Sequence, residues 1–227
     1  MIATVKPFTP IQYIIGRTEF CGLDLVVDER VLIPRPETEL VVGRVIDILK
    51  GPQSIVHSPR LLDLCTGSGN IAIALTKSVT QCKIIASDIS EEALAVAQLN
   101  AGRFGVREKI EFVKSDLFDD IEGEFDIVVS NPPYVARREF DGLQREVLQE
   151  PRIAIDGGED GLDFYRKILR DGPRHLKRDG LIVFEIGYGQ LDGILGIAKE
   201  RGRYEPVDIV KDHNGIERVL TLKWISC

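Results

Sequence analysis

The chain has 227 residues, 44% hydrophobic and 29% charged, with 29 Lys and Arg against 36 Asp and Glu for a formal net charge of −7. That suits one α/β domain with a small appendage, and it argues against disorder and against a broad basic footprint for nucleic acid. Four scattered cysteines and three scattered histidines show no metal-ligand spacing, and there is no signal peptide or membrane-length apolar run; the expectation is a reduced, cytoplasmic protein without metal.

Residues 1–17 hold two prolines and little periodicity, and read as an arm or linker. "TEFCGLDLVVDERVLIP" alternates loosely and suggests two short strands turning at Cys21–Gly22 or at Asp28–Glu29. After Pro34 and Pro36, "ETELVVGRVIDILK" spaces its apolar residues as an amphipathic helix does. "GPQSIVHSP" then reads as a loop, which divides the chain into an N-terminal linker, hairpin and helix (1–50) and a second domain (51–227).

Strand and helix alternate from Arg60 onward. "RLLDLC" is a strand, "NIAIALTKS" a helix opening from the "TGSG" turn, and "KIIASD" a strand. "SEEALAVAQLNAGRFG" is a helix with Ser90 as N-cap, acids in its first turn and Gly105 past its end. "KIEFVKSD" and "FDIVVSN" are strands; an irregular segment follows, then the helix "GLDFYRKILRDGPRHL", breaking near Gly172–Pro173. "GLIVFEIG" is a strand and "GQLDGILGIAKERG" a helix weakened by internal glycines. "YEPVDIVKD" and "ERVLTLKWI" flank "HNG", a hairpin signal because Asn-Gly tolerates positive φ at both central positions. Repeated β–α units require a mostly parallel sheet covered on both faces, and the closing hairpin reverses one strand near an edge: a doubly wound fold.

In such sheets ligands sit beyond the carboxyl ends of the strands. "DLCTGSGN", from Asp63 through Cys65, Thr66, Gly67, Ser68 and Gly69, lacks the third glycine of the dinucleotide fingerprint and the lysine of a phosphate-binding loop. Asp88 ends the next strand about twenty residues after Gly67, where a carboxylate suits two ribose hydroxyls. Asp116, beside Leu117 at the third strand's end, could accept from an adenine amino group. Acids at these positions disfavour phosphates and favour a cationic nucleoside, S-adenosylmethionine. Two roles are open for Asp63: near the cationic end of that molecule, or behind the glycine loop, holding it.

The run "SNPPYV" adds the chemistry. Two prolines cannot continue a central strand, so the chain leaves the sheet at Asn131 with φ fixed at Pro132 and Pro133. A planar amide or exocyclic amine offers two N–H donors, which the Asn131 side-chain oxygen and the Pro132 carbonyl could both accept. Orientation would then replace a base, with Pro133 keeping the turn rigid and Tyr134 offering a ring face to the planar substrate.

"NPPY" at the fourth strand's end resembles the catalytic motif of the amino-methyltransferases. Together with "PIQYIIGRTEFCGLDLVVDERVLIPRPETE", "EPRIAIDGGEDGLDFYRKI", "FEIGYGQ" and "HNGIERVL", it resembles the HemK-type release factor glutamine methyltransferases over about residues 10–225. The resemblance implies a class I, Rossmann-like methyltransferase with a seven-stranded sheet. It also implies S-adenosylmethionine lined by Cys65 to Gly69, Asp88, Leu117 and Asn131, and a glutamine amide held by Asn131 to Tyr134. The substrate it implies is the Gly-Gly-Gln loop of class 1 peptide chain release factors, methylated on the glutamine side-chain nitrogen. Arg35 and Glu37 would lie near that mouth, with a mutual ion pair bracing the linker as the competing reading. Two departures stand out: Cys65 replaces the family's usual glycine, and the chain begins almost at the linker, where bacterial members carry a helical domain first. Within the same chemistry the alternative substrate is another protein glutamine or a nucleic-acid amine; outside it, a non-catalytic nucleotide-binding module or an NAD oxidoreductase. Residues 136–151 read as a lid over the substrate or as a surface loop.

Overall fold

The computed structural model describes residues 7–51, 58–79 and 81–225. Most of the expected loop after Gly51 lies outside the described residues, as does the start of the N-terminal arm. The arm is not featureless: Ile11–Ile15 forms a one-turn helix, α1, stopped by Gly16 in the left-handed region (φ 76°). Five residues are too few for a helical period to show in sequence.

Strands β1 (Arg17–Phe20) and β2 (Leu23–Val26) pair antiparallel, with Phe20 opposite Leu23. Their two-residue turn, Cys21–Gly22, has positive φ at both positions (49° and 71°), the combination that matches strand twist. Helix α2 (Thr38–Lys50) follows and buries Val41, Val42 and Val45.

The main sheet contains β3 (Arg60–Leu64), β4 (Lys83–Asp88), β5 (Ile110–Lys114), β6 (Phe125–Ser130), β7 (Leu176–Glu185), β8 (Tyr204–Lys211) and β9 (Glu217–Trp224). Its order is β5-β4-β3-β6-β7-β9-β8. β9 runs antiparallel to both neighbours and the remaining β3–β7 pairings are parallel. This is the doubly wound sheet with a reversed strand near one edge.

Helices α3 (Asn70–Ser78) and α4 (Glu91–Arg103) follow β3 and β4; α5 (Asp163–Asp171) and α6 (Leu191–Arg201) flank β7. One core, with Leu61, Ile73, Leu75 and Val129, lies under α2 and α3. The other, with Leu62, Phe125, Tyr165 and Phe184, lies under α5 and α6. Asp63 alternates with these residues on a strand buried on both faces, so its carboxyl has no route to bulk water.

Two expectations at the C-terminal edge need correction. Only Gly215 takes a positive φ (78°) in the closing turn. Asp212 organises it instead: its carbonyl accepts from Gly215 N at 2.9 Å, and its Oδ1 accepts from Asn214 N and Ile216 N. An acid side chain that bonds ahead along its own backbone can close a longer turn without a second left-handed residue. The helix within 161–176 breaks at Gly172–Pro173 as expected, with α5 ending at Asp171, but after a short 3-10 turn the chain is already strand by Leu176. β7 therefore starts earlier than "GLIVFEIG", because Asp179 (φ 62°) and a register shift opposite Phe125–Ile127 keep it paired through an irregularity.

Asn100, fully buried on α4, ties the N-terminal hairpin to the sheet. Its Oδ1 accepts from Val26 N at 2.7 Å, and its Nδ2 donates to the Val26 and Ser68 carbonyls, each at 3.0 Å. Asn100→Ala strands these backbone groups, and urea unfolding is expected to show a loss of about 1–3 kcal/mol; an unchanged midpoint would mean that water replaces the amide.

Candidate functional site

The carboxyl ends of β3, β4, β5 and β6 converge on one cavity of about 250 Å³. Cys65, Gly67, Asp88, Asp116, Leu117 and Asn131, all anticipated from the sequence, line it together. Pro133 joins them, and Val31, Leu32 and Ile153 close it from the hairpin side and from the segment before α5.

The glycine loop takes its shape from left-handed residues: Cys65 (φ 60°), Gly67 (φ 54°) and Gly69 (φ 79°). A Cβ on Gly67 would meet no heavy atom within 4 Å, whereas one on Gly69 would press within 3.0 Å of Ala97. Gly69 is thus required for helix packing and Gly67 for the turn. Cys65 holds the left-handed region without being glycine, and burial pushes its thiol well up, so it stays protonated.

Thr66, Ser68 and Gly69 do not line the cavity; all three are buried behind it. Asp63 lies deeper still. Its Oδ2 accepts from Thr66 Oγ1 at 2.7 Å and from Ala72 N at 3.2 Å, joining the loop to the first turn of α3. Of the two roles open for Asp63, these bonds are those of the loop-holding one. Its other oxygen is buried with no partner, and burial raises the carboxyl to about 7.

Asp88 is shared between loop and ligand cavity. Its Oδ2 accepts from Gly67 N at 2.9 Å and its Oδ1 from Ser90 N at 3.0 Å, while burial raises its pKa. Each oxygen keeps a lone pair, so two hydroxyls in the cavity could still be received. Leu117 sits in the left-handed region (φ 53°) because Ser115 Oγ donates to its carbonyl at 2.8 Å, which fixes the turn presenting Asp116.

At the end of β6, Asn131 Nδ2 donates to Thr38 Oγ1 at 3.2 Å. Pro132 is buried, and Tyr134 faces a second cleft of about 510 Å³, lined also by Arg138, Tyr188, Gln190 and Arg218. The Asn131–Tyr134 turn is therefore a partition, with Asn131 and Pro133 on the first cavity and Tyr134 on the second. Because prolines donate nothing, other segments hold it. Gln190 Nε2 donates to the Tyr134 carbonyl at 2.8 Å, and Val135 pairs with Ile155 and Gly157 through backbone bonds. A Cβ on Gly157 would come within 2.7 Å of Tyr134 backbone atoms.

Arg35 and Glu37 do not line either cavity. Arg35 pairs not with Glu37 but with Glu150, which is buried and also accepts from Ile33 N at 2.9 Å. The bridge joins the linker to the end of the 136–151 segment, which is a series of short 3-10 turns. Sequence reasoning overlooked Thr38, Glu150 and Gln190, and placed Glu185 among the strand-end candidates without giving it a role. Glu185 ends β7 fully buried; its Oε2 has no partner, and burial raises it to about 7. A buried acid at a strand end was the available signal, and the "EIG" stretch carried it.

No group of three His, Cys, Asp or Glu that could hold a metal occurs among the described residues, nor a helix long and apolar enough to cross a membrane. The cavity has the features that S-adenosylmethionine requires: carboxylates at two strand ends, a left-handed loop for close approach, and apolar walls.

Asp63 gives a clean pH test. An unfolded Asp titrates near 4 and the folded one at about 7. Its contribution to stability is therefore fully present below about pH 4 and lost as pH rises through about 7. Asp63→Asn removes that loss, so the stability of the variant relative to the parent is expected to rise between pH 5 and pH 8 in urea unfolding. A flat difference would mean that Asp63 is ionised in the fold.

Comparison with known proteins leads to the same chemistry. The family described as Methyltransferase small domain matches residues 46–159. The release factor glutamine methyltransferase of Geobacter sulfurreducens is 41% identical over 213 residues, 93% of this chain and 72% of its own length. That of Agrobacterium fabrum is 42% identical, covering 94% of this chain and 74% of its own. A solved protein-(glutamine-N5) methyltransferase (release factor-specific) from Alicyclobacillus acidocaldarius superposes with a TM-score of 0.51 at 26% identity, covering 86% of this chain and 95% of that one. Identity at this level across nearly the whole chain, on a class I methyltransferase sheet, decides the matter: the chain belongs to the release factor glutamine methyltransferase family.

Proposed function

We propose that the protein transfers a methyl group from S-adenosylmethionine to the side-chain amide nitrogen of the glutamine in the Gly-Gly-Gln loop of a class 1 peptide chain release factor. The observation that carries the reading is the partition at Asn131–Tyr134. An amide acceptor reaches the cofactor cavity from one side, and a separate cleft opens on the other for a protein loop.

In this reading Asp88 receives the ribose hydroxyls and Asp116 the adenine amino group. Gly67 and Cys65 bring backbone close to the methionine end, and Asp63 with Thr66 keeps the loop in place. Bound S-adenosylmethionine supplies an electrophilic methyl group. The protein's task is the nitrogen, whose lone pair is delocalised into the amide. Asn131 Oδ1 and the Pro132 carbonyl accept its two N–H groups, which fixes the amide plane against the cavity. Pro133 keeps that pair of acceptors rigid. Tyr134, whose ring is buried enough to push its phenol well up, packs beside the incoming side chain as an apolar surface and not as a base. As the N–CH₃ bond forms and the sulfonium S–CH₃ bond breaks, S-adenosylhomocysteine would be left behind. The methylated nitrogen, now cationic and strongly acidic, would then give its proton to water, so no strong base is needed. Arg35, tied to Glu150, fastens the linker to the end of the 136–151 segment without lining either cavity.

The test uses methyl-labelled S-adenosylmethionine with a purified release factor, its Gln→Ala loop variant, and separate RNA and DNA samples. Label is expected in the intact factor alone, and Asn131→Ala is expected to lower incorporation by about a hundredfold or more while cofactor binding persists. Label in nucleic acid would replace the substrate and keep the chemistry.

Asp88→Ala is expected to weaken the cofactor by about 1.5–3 kcal/mol, measured by calorimetry with S-adenosylhomocysteine. Unchanged affinity would remove Asp88 from the ribose role.

A further inference from the structure

The Asn131 side chain is useful only one way round. An oxygen turned towards the cavity accepts an N–H from the substrate; an NH₂ turned there would meet the substrate NH₂ donor to donor. The two orientations have almost the same shape, so packing alone does not choose between them. Something polar has to.

That partner is Thr38, the first residue of α2, contributed by a part of the chain distant from Asn131 in sequence. Thr38 is 1% exposed, so no bulk water competes for its hydroxyl. The hydroxyl has one proton and two lone pairs. Beside it stands the buried carboxyl of Glu185 at the end of β7, whose Oε2 has no other partner, and the hydroxyl proton is assigned to that acceptor. Only a lone pair is then left for Asn131, and it receives the Nδ2 donor at 3.2 Å. The Asn131 oxygen is thereby turned away from Thr38.

We infer that Thr38 and Glu185 are positioning residues: an acceptor at Glu185 orients the Thr38 hydroxyl, and that hydroxyl sets which end of the Asn131 amide faces the substrate. This rests on the proposed role of Asn131 and extends it two residues outward. The Glu185 contribution is its acceptor oxygen, which a carboxylate, a carboxylic acid and a glutamine amide all possess. Its charge is not required. The relay explains why an acid is retained in a place where burial opposes ionisation, and where a leucine of similar size would pack without that cost.

The inference predicts a pattern across volume-matched pairs of variants. Thr38→Val and Glu185→Leu keep the packing and delete the polar link; each is expected to lower kcat by about ten- to a hundredfold. Thr38→Ser and Glu185→Gln keep a hydroxyl and an acceptor; each is expected to lie within about threefold of the parent, a barrier change of well under the 1.36 kcal/mol that makes tenfold. S-adenosylhomocysteine affinity, measured by calorimetry, is expected to hold in all four, which also reports that each has folded. In the Thr38→Val protein the ¹⁵N–¹H side-chain signals of Asn131 are expected to shift, whereas in Thr38→Ser they stay near the parent positions.

Equal kcat in the Val and Ser variants, with cofactor binding intact, would overturn the relay. So would equal loss in Glu185→Gln and Glu185→Leu, because charge or shape would then be the requirement. The Asn131→Ala enzyme, assayed alongside, separates this from the reading beneath it. If Asn131→Ala still methylates the release factor, the role of Asn131 itself fails. If only Asn131→Ala is inactive while Thr38→Val is not, the relay alone fails.

Discussion

A turn containing two consecutive prolines cannot hold itself. Pro132 and Pro133 have no N–H to donate, so the peptide carbonyls around them must be satisfied by segments from elsewhere. The rest of the molecule is arranged around that shortage. Gln190, at the N-terminus of α6, reaches back to the Tyr134 carbonyl while its own Oε1 accepts from Gly187 N at 3.0 Å. The backbone of 155–157 lies beside Val135, and only a glycine at 157 allows it that close. Thr38 supplies the side-chain contact from the opposite direction. Three separate segments thus meet at one short turn, and the turn is rigid because they do.

The same logic accounts for the N-terminal hairpin and linker, which a bare nucleotide-binding sheet does not need. Asn100 clamps β2 to the glycine loop through Val26 and Ser68. Val27 and Val31 pack on Ala93 and Val96 of α4, and the Tyr13 hydroxyl donates to the Val31 carbonyl at 2.5 Å. Glu150 and Arg35 close the other side. The hairpin is therefore a wall of the strand-end cavity and a spacer that delivers Thr38 to Asn131. Cavity and turn share their supports, so a change in the linker is felt in both.

Much of this was legible in the sequence because it follows from local rules. The alternation of apolar strands with amphipathic helices fixes a parallel sheet, and a parallel sheet fixes where ligands go. Ser90 as a cap, with its Oγ accepting from Ala93 N at 3.1 Å, needed only its position before two glutamates. The strand-end acids Asp88 and Asp116 were found the same way. What escaped was nonlocal or short. No pattern links Arg35 to Glu150 across the intervening domain, so a pair with the nearby Glu37 looked equally reasonable. Likewise Asn-Gly is a strong signal for a two-residue turn, yet the side chain of Asp212 closes its loop another way. The turn with two left-handed residues appears at Cys21–Gly22, where cysteine gave little warning.

The buried acids show where local reasoning stops and the folded environment takes over. As letters, Asp63, Asp88 and Glu185 are alike: each lies at or near the end of a strand of the parallel sheet. The fold gives them different solvation and different partners. Asp88 borders the cavity and divides its oxygens between backbone N–H groups and open space. Asp63 spends one oxygen on Thr66 and Ala72 and leaves the other without a partner. Glu185 meets a hydroxyl that must also serve an amide. A buried carboxyl is costly unless its bonds are made, so an incompletely bonded one persists where its geometry is being used. On that argument Asp63 shapes the glycine loop beneath the strand-end cavity, and Glu185, in the proposed relay, the orientation of Asn131. Neither needs to touch the reacting atoms: Asp63 acts through Thr66 and Ala72, and Glu185 through Thr38 and Asn131.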